Sequence, residues 1–222
     1  MEQPRITLCN RMVAEAFGTF AMVFAGTGAI VVDQQFNGAI SHAGVALTFG
    51  LIVLAMIYSL GDISGAHFNP AVTIGFFAAR RLESKVIFPY VLSQLVGAIC
   101  ASASLALMFP ENKGLGSTHA HGPLLRAFLM EFILTLILMV VILSVSTGAK
   151  EKGITAGIVV GSVIGLEAMF AGPLCGASMN PVRSLAPALV SGQVHDLWIY
   201  LTAPVLGALA AVPLNRALRP GS

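Results

Sequence analysis

Two octapeptides decide how this chain folds: Ser64-Gly65-Ala66-His67-Phe68-Asn69-Pro70-Ala71 and Cys175-Gly176-Ala177-Ser178-Met179-Asn180-Pro181-Val182. Glycine, alanine, asparagine and proline recur at equivalent positions, and Phe68 matches Met179 in kind. The second copy lies 111 positions after the first in a chain of 222 residues, so the chain divides into halves of about 1–110 and 111–222. A looser echo precedes each copy, with Glu15 in one half and Glu131 in the other. Each Asn-Pro opens a short apolar stretch, 71–79 and 182–190. Proline suits the first helical position, where its missing N–H would be unpaired anyway, and asparagine before it is a good N-cap. Nine helical residues cover ~13 Å, less than half of a hydrocarbon core. These are half-helices, too short to span.

Working outward, 56% of the residues are hydrophobic and only 10% are charged, against ~25% charged in a soluble domain. The mean hydropathy is +0.86. Such a chain has too little polar surface to clothe a soluble core, which leaves a polytopic helical membrane protein. Six stretches reach the ~20 apolar residues that a spanning helix needs: roughly 12–32, 42–60, 87–109, 125–146, 154–172 and 196–217. The first carries Arg11 and Glu15 and lacks a cleavage pattern, unlike a signal peptide. Short connections imply a single transmembrane domain over 1–222. Three spans per half is an odd number, so the second half enters the membrane upside down. The expected fold is all-α: six transmembrane helices and two re-entrant half-helices in an inverted three-span repeat. The positive ends of both half-helix dipoles then meet near the midplane. Irregular backbone at that depth is tolerated only inside protein or beside a water-filled path. Gly65, Ala66 and His67, with Gly176, Ala177 and Ser178, supply it, their carbonyls facing a lumen.

An inside N-terminus puts Arg5, Arg11, Arg80, Arg81, Lys85, Lys150, Lys152, Arg216 and Arg219 in the cytoplasm, and leaves Lys113 and Arg126 outside. The positive-inside rule therefore makes both termini cytoplasmic, and Trp198 suits an interfacial anchor. A net charge of +2 argues against nucleic acid. Cys9, Cys100 and Cys175 give neither a disulfide framework nor a metal signature. His119 and His121 belong to a solvated outer loop, and no cofactor or metal is implied. Cys175, near the expected channel mouth, is either a target for thiol reagents or a small buried apolar residue.

The two Asn-Pro boxes, with Arg183 after the second and Glu15-Ala16-Phe17-Gly18-Thr19 in the first span, resemble the aquaporin (major intrinsic protein) family over nearly the whole chain. Its paired NPA boxes correspond to Asn69, Pro70, Ala71 and Asn180, Pro181, Val182, with Val182 departing from the usual alanine. The resemblance implies a homotetramer conducting water and small neutral solutes, while the lack of a targeting extension and the compact loops suggest a plasma or inner membrane of bacterial type. It makes Arg183 part of a selectivity filter, and counting from the boxes adds Phe49, Ala168 and Ala177. Water-selective members usually carry histidine at the Ala168 position. Two alanines leave a wider opening, and Phe49 offers an apolar face opposite Arg183. This pattern looks closer to the nodulin-like members, with glycerol, urea or metalloid hydroxides such as arsenous acid as solutes. A slip of one residue in the fifth span would instead put Glu167 or Met169 at the wall.

Asn69 and Asn180 are expected to present amide N–H donors to passing water, breaking a proton wire and, with the helix ends, opposing cations. Glu15 and Glu131 are expected to accept hydrogen bonds from the N–H groups of the two loops. Glu167 has no counterpart in the repeat and either supports the Arg183 loop or reaches the pore. His67 lines the inner half of the lumen. Three competing functions remain. A strictly water-selective channel shares every feature but the filter. An intramembrane hydrolase could use Ser64, His67 and Asp62, but no G-x-S-x-G elbow occurs and the repeated residues are not catalytic types. A secondary active transporter wants carboxylates or ion sites at the centre, where this chain repeats neutral residues.

Overall fold

A computed structural model describes residues 6–146 and 150–219, excepting the side chains of 150–154. Arg5 and the side chains of Lys150 and Lys152 therefore lie outside the described residues. The described chain forms eight helices and no strand: α1 (Leu8–Gln35), α2 (Ser41–Ser64), α3 (Pro70–Ala78), α4 (Ser84–Met108), α5 (Leu124–Val145), α6 (Lys150–Cys175), α7 (Pro181–Ser191) and α8 (Leu197–Leu218). Six are long and apolar enough to cross a membrane. The other two, α3 of nine residues and α7 of eleven, are the half-helices. In lipid every backbone N–H and C=O must find a partner within the protein, which is why apolar sequence becomes helix here.

Most helices run beyond their apolar stretches, because caps rather than hydropathy end a helix. α1 begins four residues early, where Thr7 and Asn10 form a reciprocal capping box. α2 continues through Gly61-Asp62-Ile63 until Gly65, at φ 86°, turns the chain out of the helix. α3 and α7 start at Pro70 and Pro181, the first helical positions expected, and α7 runs to Ser191, where Gly192 ends it with φ 78°.

The packing is that of an inverted repeat. α1 packs on α2 and α4, and α5 packs on α6 and α8 in the same way; α2 meets α6 across the middle. Each half-helix lies against the last spanning helix of the other half, α3 on α8 and α7 on α4. Two glycines set the tightest equivalent crossings. A Cβ on Gly97 would overlap the carbonyl oxygen of Ala16, and one on Gly207 would overlap that of Phe132. Large apolar side chains such as Phe17, Phe88 and Leu107 remain exposed on the outer faces of the spans, where lipid is the solvent. The buried core runs along the half-helices and the helix crossings instead.

Candidate functional site

Asn69 and Asn180 are the N-caps of α3 and α7. Their side-chain oxygens accept from the backbone N–H of Ala71 at 2.9 Å and of Val182 at 3.2 Å. Their amide nitrogens reach across the repeat: Asn69 Nδ2 donates to the Met179 carbonyl at 2.8 Å, and Asn180 Nδ2 to the Phe68 carbonyl at 2.9 Å. The two caps thus tie the halves together. A carboxamide has two N–H donors, so one on each asparagine remains beyond the cross-tie; Asn180 Nδ2 also lies 3.8 Å from Met22 Sδ. Pro70, Ala71, Pro181 and Val182 form the first turns of the half-helices and are buried. They do not border the lumen. The extra bulk of Val182 goes into the core.

The loops before the caps hold a costly backbone. Gly65 and Gly176 have φ 86° and 83°, and the non-glycine residues Ala66, Phe68, Ala177 and Met179 have φ 51°, 50°, 43° and 53°. At the four non-glycine residues such conformations cost about 1–3 kcal/mol each and persist only when over-determined. Glu15 and Glu131 supply that determination. Glu15 accepts from the backbone N–H of His67 at 2.9 Å and of Phe68 at 2.7 Å, and from Ser64 Oγ and Gln94 Nε2, each at 2.7 Å. Glu131 accepts from the N–H of Ser178 and of Met179, both at 2.8 Å. With their N–H groups turned to the glutamates, the loop residues turn carbonyls the other way.

A cavity of about 110 Å³ runs past these loops and both asparagines. One side is apolar, with Val53, Ile57, Leu138, Ile142, Val160 and Ile164. The other carries Gly65, Ala66 and His67 from the first loop and Ala177 and Ser178 from the second, joined by Phe68 and Met179. Gly176 departs from expectation. It caps α6, its N–H bonded to the Gly172 carbonyl at 2.9 Å, a Cβ there would meet Thr118, and it is not among the residues that border the cavity. The His67 ring stacks on Phe76 and pairs with Thr73 Oγ1 at 3.1 Å while bordering the cavity.

Phe49, Ala168, Ala177 and Arg183 all border this same cavity, and Glu167 and Met169 do not. Arg183 is 3% exposed and donates to the Gly116 carbonyl at 2.9 Å. Its guanidinium carbon lies 4.9 Å from the Phe49 ring centroid. Atoms in contact sit ~3.5–4 Å apart, so no solute fits between them. Phe49 is therefore not an apolar wall across the lumen from Arg183. The two groups pair face to face as cation and ring, and the room left for a solute is on the side of Ala168 and Ala177. Glu167 meets neither expectation: it is 2% exposed, off the cavity, and neither oxygen has a hydrogen-bond partner among the described residues. Cys175 is buried in the core, off the cavity, with its thiol 3.6 Å from the Ala171 carbonyl. Among the described residues no three His, Cys, Asp or Glu side chains are grouped as metal ligands.

Comparison with known proteins matches the family described as Major intrinsic protein over residues 2–214. The chain belongs to the major intrinsic protein family. It is 44% identical to Nodulin-26 of Glycine max, over 96% of this chain and 79% of that protein. It is 42% identical to Aquaporin NIP1-1 of Oryza sativa subsp. japonica, over 92% of this chain and 72% of that one. Among solved structures it resembles the aquaglyceroporin from Plasmodium falciparum with a TM-score of 0.87 at 26% identity, covering 96% of this chain and 98% of that chain. This major intrinsic protein is thus a multi-pass membrane protein of a channel family.

Several residues that build the site escaped the motif reading. Tyr90 and Tyr200, 110 positions apart, donate from their hydroxyls to the carbonyls of Ser64 at 2.6 Å and Cys175 at 2.8 Å, equivalent points at the loop entrances. Thr19 and Thr135 return hydroxyl bonds to the carbonyls of Glu15 and Glu131. Gln94 bridges Glu15 and Thr73. Extending the search for a common offset beyond the two boxes would have found both pairs. No sequence signal would have found Gly116.

Proposed function

We propose that this protein is a passive channel for water and small uncharged solutes, including glycerol, urea and metalloid hydroxides such as arsenous acid, and that it excludes ions and protons. The observation that carries the proposal is the two-sided lumen, with the two cap loops on one side, an apolar wall on the other and two alanines at its Arg183 end. A polyhydroxy solute exchanges water for the carbonyls and the Arg183 guanidinium while its apolar face slides along the other side. A charged solute loses a hydration shell that these contacts do not repay. At the asparagines each water is oriented by the N–H donors and by the positive ends of α3 and α7. Its own hydrogens point away from both, so a proton has no continuous path. The names of the relatives, aquaporins and an aquaglyceroporin, agree with this range.

The wider account follows the same reading: one channel domain over 1–222 built from inverted halves, both termini cytoplasmic, in a plasma or inner membrane. It takes the chain as a homotetramer with one pore per chain, without catalysis or cofactor. A second reading, strict water selectivity, is favoured by the contact between Arg183 and Phe49, which narrows the lumen on that side. Stopped-flow light scattering on proteoliposomes challenged with water, glycerol, urea and arsenous acid separates the two. Flux of all four supports the broad channel; fast water flux without swelling in the other three supports the narrow one.

A further inference from the structure

α6 contains Pro173 in its last turns. Proline has no N–H, so the carbonyl four residues earlier, on Met169, loses its helical donor. That carbonyl sits one residue after Ala168, the α6 residue at the Arg183 end of the cavity. The missing bond is replaced from another helix. His42, in the first turn of α2, places Nε2 at 2.7 Å from the Met169 oxygen. A carbonyl only accepts, so the ring is the donor. Gly172 makes the approach possible, since a Cβ there would lie 2.7 Å from His42 Cε1. Pro173 removes a donor, Gly172 clears the space, and His42 fills the vacancy. α2 also carries Phe49, and α6 carries Ala168. The bond therefore fastens together the two helices that bring Phe49 and Ala168 to the lumen.

We propose that His42 is a specificity-determining positioning residue: by donating to the Met169 carbonyl that Pro173 leaves unpaired, it holds α6 against α2 and sets the opening at Ala168. This rests on the proposed role of Ala168 in the lumen. Releasing the tether lets the turn bearing Ala168 move away from Phe49, so larger solutes gain relative to water.

The test compares wild type, His42→Ala, His42→Gln, Pro173→Ala and the double variant His42→Ala/Pro173→Ala in proteoliposomes. Glutamine carries an amide nitrogen able to reach the same carbonyl. Pro173→Ala restores the backbone N–H that makes His42 unnecessary. The glycerol-to-water permeability ratio rises about 2- to 10-fold in His42→Ala, the range of one net hydrogen bond, and returns toward wild type in both rescue variants. An unchanged or lower ratio in His42→Ala overturns the proposal, as does a raised ratio that neither rescue restores, which would assign the effect to ring packing. If His42→Ala does not fold, His42→Leu, which fills the ring's space without a donor, takes its place in both single and double variants. Melting temperature in detergent gives an arm independent of solute. Pro173→Ala raises it more in the His42→Ala background than in wild type, and equal effects in the two backgrounds overturn the tether. A wild type that passes no glycerol refutes the proposed solute range, and the tether is then judged by the melting arm alone.

Discussion

Glu15 and Glu131 are equivalent in the repeat but differ in their partners, and the difference sets an expectation that a count of hydrogen bonds would reverse. Glu15 receives four donors and Glu131 two backbone donors. Counting bonds makes Glu15→Gln the more damaging change. The chemistry says otherwise. In either variant one carboxylate oxygen becomes an NH2 group facing a loop N–H, and one charge-assisted bond of about 1.5–3 kcal/mol is lost. Relief of carboxylate burial is common to both and cancels in their difference. At position 15 the new NH2 finds acceptors, because the Ser64 hydroxyl can rotate and the Gln94 amide can flip. Among the described residues Gln94 Oε1 has no hydrogen-bond partner of its own. At position 131 the facing groups are the N–H of Ser178 and Met179, which cannot accept, and the Cys175 thiol, whose sulfur is only a weak acceptor. Glu131→Gln therefore leaves buried donors unsatisfied, at a further cost of about 1–3 kcal/mol. Unfolding of the two variants in detergent, followed by tryptophan-independent thermal scanning, should rank Glu131→Gln below Glu15→Gln by that margin. Equal losses, or the reverse order, would refute the assignment of the two glutamates as holders of the loops.

Ala168→His should fill the side of the lumen left open beside the Arg183–Phe49 pair, reducing glycerol flux far more than water flux; equal losses would place the obstruction elsewhere. Replacing both Asn69 and Asn180 with Asp exchanges donors for acceptors and also removes the cross-ties to Met179 and Phe68. A proton leak, read by an internal pH dye, is expected, and a folded double variant without a leak would remove the asparagines from the exclusion argument. Glu167→Gln removes a buried carboxylate that has no hydrogen bond to lose among the described residues, so unchanged or higher thermal stability is expected; a marked loss would reveal a partner for it. Gly97→Val should destabilise by about 1–3 kcal/mol or more, since overpacking at this site meets backbone rather than a movable side chain. Wild-type stability there would contradict the α1–α4 crossing.

The architecture was legible because it is written in properties that sequence carries directly. Hydropathy sets the spans, and Asn-Pro fixes the starts of the half-helices by capping chemistry. The odd number of spans per half fixes the inversion. The resemblance, applied by counting from the boxes, also named Phe49, Ala168, Ala177 and Arg183, and all four border one cavity. Side-chain direction is another matter. Spacing does not say that Arg183 lies over the Phe49 ring, that Gly176 faces Thr118, or that Cys175 turns into the core. Helix ends were misjudged where polar caps such as Thr7 extend a helix beyond its apolar stretch. The tyrosine pair was missed because Tyr90 and Tyr200 lie outside the boxes, with only their common offset to mark them. His42 was missed because its role exists only through Pro173 on another helix.

The central claim is that this lumen passes neutral solutes and no charge. The most direct measurement is shrinkage and re-swelling of proteoliposomes in a glycerol gradient, recorded together with an internal pH dye under an imposed proton gradient. The account predicts glycerol entry well above that of protein-free vesicles while the dye signal stays at the protein-free rate. Glycerol entry no faster than in protein-free vesicles, or a proton leak that accompanies it, would contradict the account.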